Sequence, residues 1–191
     1  MKHVKMLGLL VMAAASLMAF ASSASAAPVL TSSAGTEYTS TINGTLESGT
    51  SALLKAGIED TCTTSTVTGT VSTNTTSHAK GAISTLDFGS CTLDTKTITP
   101  GELTINDLGE VFAIGNRVEI KDTIFGITCF YGGGASPGTK IGTLTTGKPA
   151  KLSISTSSLK RLEGSTAGFC AENGTWTAKY VVTTPSELFI T

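Results

Sequence analysis

His78 is the only histidine beyond residue 26 of this 191-residue chain. Any Ser-His-Asp or Cys-His site would have to use it, because a hydroxyl or thiol needs a neighbouring base to become a nucleophile. It lies in Asn74-Thr75-Thr76-Ser77-His78-Ala79, a polar stretch with no nucleophile signature beside it. The residue therefore reads as a solvated turn histidine, and multi-histidine metal chemistry is beyond a single copy of the chain. Carboxylates are the next candidates. Glu59-Asp60, Asp107 with Glu110, and Glu119 with Asp122 form local clusters, and a retaining two-acid glycosidase needs one pair about 5 Å apart in a cleft. Glu59-Asp60 and Asp107–Glu110 stand at turn-like points, and Glu119 and Asp122 flank Lys121 beside a strand. Each cluster reads as ordinary solvated charge. Asn106-Asp107 lacks the spaced oxygen ligands of a calcium loop. No catalytic residue, metal ligand or cofactor is expected.

Trp176 and Tyr180 are both even-numbered in Thr175–Val182, so as parts of one strand they share a face. Exposed on a flat sheet, the pair would offer a sugar ring a stacking platform, and these two residues are the candidate ligand-binding site. The competing reading places Trp176, the one tryptophan of an aromatic-poor chain, in the core. Cys62, Cys91, Cys129 and Cys170 are separated by 28, 37 and 40 positions, whereas a zinc site would want close Cys-x2-Cys spacing. An even number of cysteines in an exported chain reads as two disulfides.

Export itself rests on the first 26 residues. Lys2, His3 and Lys5 give a basic start, Met6 to Phe20 is a run of apolar or small residues, and Ala24-Ser25-Ala26 supplies a small-x-small cleavage site. This is the layout of a secretory signal peptide. The run of 15 residues is shorter than the roughly 20 that cross a bilayer. The expected organisation is a signal peptide over 1–26 and one domain over 27–191, secreted or extracellular, with no transmembrane segment left after cleavage. Without Lys2 and Lys5 the chain carries 11 basic and 14 acidic residues, a formal charge of −3. That balance argues against nucleic acid and anionic lipid as partners.

The elements that must position these residues are strands. The chain has 34 Thr and 21 Ser but only 14% charged residues, and from Thr31 onward short runs of Val, Ile, Thr and Phe alternate with Gly, Asn, Asp and Pro. Asn43-Gly44 and Gly115-Asn116 read as hairpin turns, and Asn173-Gly174 as a turn before the Thr175–Val182 strand. Residues 132–138 read as a loop and Gly147-Lys148-Pro149 as a tight connection. Helix is confined to short pieces at most, Ser51–Gly57 and Ser157–Arg161. Ile124–Tyr131 is apolar on both parities and reads as a central strand covered on both faces, or as one that twists from one face to the other. Asn43, Asn74 and Asn173 also match the glycosylation acceptor pattern, which arises readily by chance in so Thr-rich a chain.

One hairpin permits a finer expectation. Pairing Thr63–Thr73 with Lys80–Ser90 places Val67 opposite Leu86, Val71 opposite Ala82 and Cys62 opposite Cys91, with Cys62 on the face away from Val67 and Leu86. Directly opposed strand residues lie within disulfide range. Cys62–Cys91 is thus expected, leaving Cys129–Cys170. A single bulge would spoil this register, and four cysteines allow three pairings. An antiparallel β-sandwich is the first expected arrangement of the strands, and a closed β-barrel the second.

The stretch Cys170-Ala171-Glu172-Asn173-Gly174-Thr175-Trp176-Thr177-Ala178-Lys179-Tyr180, the Thr184-Pro185-Ser186-Glu187-Leu188 ending, and the Cys62–Gly69 and Phe88-Gly89-Ser90-Cys91 segments are the most distinctive residues. With them the chain resembles secreted Thr/Gly-rich all-β proteins of high-GC Gram-positive bacteria, a family with no known activity. The resemblance implies an exported all-β domain and no catalytic residue. Three functions are therefore expected in order. The first is a non-catalytic extracellular or envelope-associated domain that binds a cell-envelope glycan or an extracellular protein, or is structural. The second is a secreted hydrolase using paired carboxylates. The third is a barrel holding a small apolar ligand, which would need a cavity of a few hundred Å3.

Overall fold

The computed structural model describes residues 27–33 and 35–191, so the expected signal peptide at 1–26 lies outside the described residues. Among them are fourteen strands and no helix: β1 (Leu30–Thr31), β2 (Thr41–Leu46), β3 (Ala52–Lys55), β4 (Glu59–Asn74), β5 (His78–Cys91), β6 (Asp94–Thr99), β7 (Glu102–Asn106), β8 (Glu110–Ile114), β9 (Arg117–Asp122), β10 (Ile127–Gly132), β11 (Thr139–Thr145), β12 (Lys151–Arg161), β13 (Asn173–Thr184) and β14 (Phe189–Ile190). Thr, Val and Ile favour this extended backbone because their branched side chains pack on a pleated surface. The two short pieces with helical potential are strands as well, Ala52–Lys55 as β3 and Ser157–Arg161 as the end of β12.

The strands close into an eight-stranded barrel. Its staves run β4–β5–β7–β8–β11–β12–β13, and the gap between β13 and β4 is filled by β2 and β3 lying end to end. β2 pairs with Tyr180–Thr184 of β13 and with Thr66–Thr70 of β4, while β3 pairs with Thr175–Thr177 and with Glu59–Cys62. The all-β fold is therefore as expected, and of the two arrangements it is the barrel that forms and not the sandwich. The long strands β4 and β13, of 16 and 12 residues, are what permit closure, since each is paired along both edges. The outer face carries exposed Thr66, Thr143, Thr145, Lys151, Ser155 and Lys179, groups suited to water.

Both ends are covered. At one end β1 and β14 pair as a lid, Leu30 with Ile190 and Thr31 with Phe189. At the other, β6, β9 and β10 form a small sheet joined to the barrel where Tyr131 and Gly132 meet Arg161 and Lys160. Val118, Ile120, Ile127, Cys129 and Tyr131 are its buried residues. The two expected disulfides both belong to this end: Cys62–Cys91, with Cα atoms 3.9 Å apart, and Cys129–Cys170, at 5.6 Å.

The β4–β5 register is as expected at Cys62–Cys91 and Val67–Leu86 but differs at Val71, which faces Gly81 and not Ala82. Two bulges account for this. One, at Ser84, shifts the pairing after Thr68, and a second, at Ser72, restores it at Thr73–Lys80. Cys62 is not turned away from the core either, since it and Leu86 are both buried. The buried positions of β4 change parity between Cys62 and Ser65, beside Ser90, whose φ of 50° breaks the regular pleat of β5.

Two Asn-Gly pairs expected at turns lie inside strands. A Cβ on Gly44 would sit 3.0 Å from Val67 Cγ1, and one on Gly174 would sit 2.7 Å from the Tyr131 ring, so both glycines serve close packing. Gly115-Asn116 is a turn, but β8 and β9 on either side of it belong to the barrel and to the end sheet respectively. The Ile124–Tyr131 strand is shorter than expected. Ile124 and Phe125 are 86% and 76% exposed in the β9–β10 turn, where Asp122 Oδ1 accepts from their backbone N–H groups at 2.9 and 3.1 Å.

Candidate functional site in the barrel interior

Closing the sheet gives every stave one inward face, and on β13 that face carries Trp176, Ala178, Tyr180 and Val182. Trp176 and Tyr180 do share a face, but it is the inner one: they are 6% and 1% exposed. The flat, solvent-facing sugar platform is corrected accordingly, because barrel closure removes this side of β13 from water. Trp176 packs edge-on against Phe88 and Tyr180, with ring centroids 6.1 and 6.5 Å away. Ser65 Oγ donates to the Asp87 carbonyl at 2.7 Å, so the Tyr180 hydroxyl donates to Ser65 Oγ at 2.9 Å. Burial pushes the Tyr180 phenol up to about 12. Trp176 Nε1–H differs: it is buried with no acceptor in reach among the described residues.

Next to these rings the side chains do not fill the barrel. A cavity of about 80 Å3 lies under the lid, walled by Leu30 and Leu188 on the lid side and by Val71, Ile105, Leu144 and Val182 on the staves. Gly44, Gly69 and Gly81 line it too. A second cavity, of about 20 Å3, is bordered by Trp176, Asn116, Ile141 and Ile154. The two share Val67, Ile83, Leu103, Leu152 and Tyr180 as walls. The larger cavity is below the few hundred Å3 expected for a ready-made ligand pocket. An apolar cavity of about 150 Å3 admits benzene, so this one suits a smaller molecule.

The carboxylates do not converge on it, and no acid borders either cavity. Glu59 pairs with Lys55 and Glu119 with Lys96, both at 3.0 Å. Asp107 is exposed in the β7–β8 turn. Glu110 accepts from Lys140 and Asn106, and these hydrogen bonds, the lysine's foremost, hold its carboxyl below the usual range. Asn106 spends its Oδ1 on the N–H groups of Leu108 and Glu110, at 3.1 and 2.8 Å, as the cap of its turn. Glu47 and Glu187 are likewise held low, chiefly by hydrogen bonds from Lys151 and Lys148. His78 is half-buried at the start of β5, with Nδ1 3.3 Å from Thr75 Oγ1 and 3.2 Å from Ser77 Oγ.

Asp60 departs from expectation. Read as a solvated turn acid, it is fully buried in β4, accepting from Thr92 Oγ1 and Leu93 N at 2.8 Å each and from Thr95 Oγ1 at 2.5 Å. Its alternation with Cys62, two residues on in the same strand, was the available signal. Asp60, Cys62 and Cys91 lie close enough together to hold a metal ion. The two sulfurs are joined to each other, however, and offer no thiolate. Asp60 instead ties residues 92–95 to the disulfide-bonded end of the barrel.

Asn74 was not singled out except as a glycosylation acceptor, yet it latches the lid. Its Oδ1 accepts from Leu30 N at 3.0 Å, and its Nδ2 donates to the carbonyls of Leu30 and Tyr38 at 2.6 and 3.1 Å. Taken together, stave order, lid and interior define a closed, end-capped antiparallel β-barrel with an apolar cavity. Compared with protein-family profiles, curated proteins and solved structures, the chain finds no match.

Proposed function

We propose that this protein acts outside the cell as a non-catalytic β-barrel that binds a small molecule in its interior. The apolar cavity of about 80 Å3 beneath the lid carries the reading. An eight-stranded barrel has room to be filled by its own side chains or to hold one small ligand. Export is supported by the leader-like first 26 residues, by the resemblance to secreted Thr/Gly-rich proteins, and by two disulfides of the kind that persist in oxidising surroundings. Binding is favoured over hydrolysis because Glu47, Glu110 and Glu187 are held low by lysines on the outer surface, whereas a general acid needs its carboxyl raised. Xenon under pressure tests the interior directly. Residues 27–191 are expected to give a saturable 129Xe shift and amide changes centred on Leu30, Val71 and Leu188. A linear, scattered response would refute interior binding.

A second reading, adhesion to an envelope glycan, draws on Ile124 and Phe125, which stand out from the end sheet at 86% and 76% exposure. Co-sedimentation with purified envelope tests it. Saturable binding abolished by Phe125→Ser would support adhesion, and no binding at low salt would end it.

A further inference from the structure

Trp176 Nε1–H is the unexplained group of the interior. The indole is 94% buried and borders the 20 Å3 cavity, and its N–H meets no acceptor among the described residues. A buried donor left unpaired is costly, so such a group is ordinarily matched by an acceptor. The Tyr180 hydroxyl, its neighbour on the same face, donates to Ser65. Beyond the indole, through shared walls at Val67, Leu103 and Leu152, lies the larger apolar space.

We infer that the barrel interior is a site for a small carbonyl compound, its hydrocarbon body in the lid-end cavity and its oxygen accepting a hydrogen bond from Trp176 Nε1. The inference rests on the interior-binding reading above and adds the ligand's chemical class. Trp176 and Tyr180 thereby become ligand-facing residues from inside the barrel, the reverse of a sugar platform. A charged ligand is disfavoured, since no residue of opposite charge reaches the space beside the indole. Size limits the ligand to about four heavy atoms, fewer than benzene's six, since the cavity is about half the volume of one that holds benzene.

Acetone and 2-methylpropene, which share a shape and differ in the acceptor, are suitable probes. The chain has one tryptophan, so its 15N-correlated spectrum contains a single indole N–H resonance. Acetone is expected to move that resonance saturably. Trp176→Phe should weaken acetone about tenfold by calorimetry while leaving 2-methylpropene unchanged, the loss expected for one buried hydrogen bond. If the indole resonance stays fixed under saturating acetone, or a bound water keeps its cross-peak to the indole throughout, the inference is overturned. If both probes bind and Trp176→Phe alters neither, the carbonyl assignment fails and interior binding stands. If neither binds, interior binding falls with it. The wild-type indole resonance keeps the test decisive even where Trp176→Phe folds poorly.

Discussion

Replacing Asn74 with Ala should open the lid without unfolding the barrel. Asn74 sits at the end of β4, and its side-chain amide makes three hydrogen bonds to lid and neighbouring backbone, at 3.0, 2.6 and 3.1 Å. Each such bond contributes about 1 kcal/mol net. Part of the loss is recovered because the Tyr38 carbonyl, on a half-buried residue, takes up water, so the expected cost is about 2 kcal/mol of lid stability. That corresponds to about 30-fold faster hydrogen exchange at amides protected only while the lid is shut. Two of those amides are informative because Asn74 does not bond them itself: Val29 N donates to the Thr75 carbonyl at 2.8 Å and Thr191 N to the Val29 carbonyl at 3.1 Å. Exchange monitored by NMR should show both accelerated, while amides of Cys129 and Ala178 in the opposite half are unchanged. Acceleration of Leu30 alone would mean that Asn74 merely protects one amide. No acceleration at all would refute the latch.

Two further outcomes are expected. All three tyrosines are raised by burial, Tyr180 furthest at about 12. A phenol whose folded pKa lies above its unfolded value contributes stability that is full below pH 10 and lost as pH rises through 12, about 2–3 kcal/mol for Tyr180. Denaturant midpoints between pH 9 and 12 check this, and tyrosinate absorbance appearing below pH 10 in native protein would contradict it. Asp60→Ala should cost about 3 kcal/mol, since it strands three donors that now share one buried carboxylate, the buried Thr95 hydroxyl among them. Asp60→Asn, which keeps an acceptor oxygen, should cost less, and equal midpoints for wild type and Asp60→Ala would show the buried acid to be dispensable.

Strand content, the long β4–β5 hairpin and the Cys62–Cys91 bridge were legible because they follow from local rules: alternation, β-branched residues and directly opposed positions; Cys129–Cys170 followed only by elimination. The turns at Asn43-Gly44 and Asn173-Gly174 misled because a glycine signals either positive φ or close approach. Only the packing of Val67 and Tyr131, distant in sequence, decides for close approach. Closure was beyond local pattern too. Nothing in Thr41–Leu46 and Ala52–Lys55 reveals that two short strands share one stave between β13 and β4. The same long-range fact turned Trp176 and Tyr180 inward. Asp60 was misjudged for a related reason, because the donors that bury it come from Thr92, Leu93 and Thr95, more than thirty residues on.

The placement of the covalent pins bears on how a closed barrel admits anything. Cys62–Cys91 joins the far ends of β4 and β5, and Cys129–Cys170 anchors the end sheet. Neither touches the lid, whose two strands pair over only two residues each and are otherwise held by a few hydrogen bonds with Asn74, Thr75 and Gly147. Leu30 and Leu188, which wall the larger cavity, belong to that weaker end. Local opening therefore begins there, on the cavity side, while the disulfide-bonded end keeps its shape. The energies are commensurate. A cavity of 80 Å3 destabilises the surrounding core by about 2 kcal/mol at 24 cal/mol per Å3. That matches the cost assigned to the Asn74 latch, so a ligand that fills the space recovers roughly what opening the lid expends. Asn74→Ala should accordingly speed entry and release of acetone together and leave its equilibrium affinity within about threefold. A change in affinity without a change in exchange rate would mean that ligands reach the interior by another route.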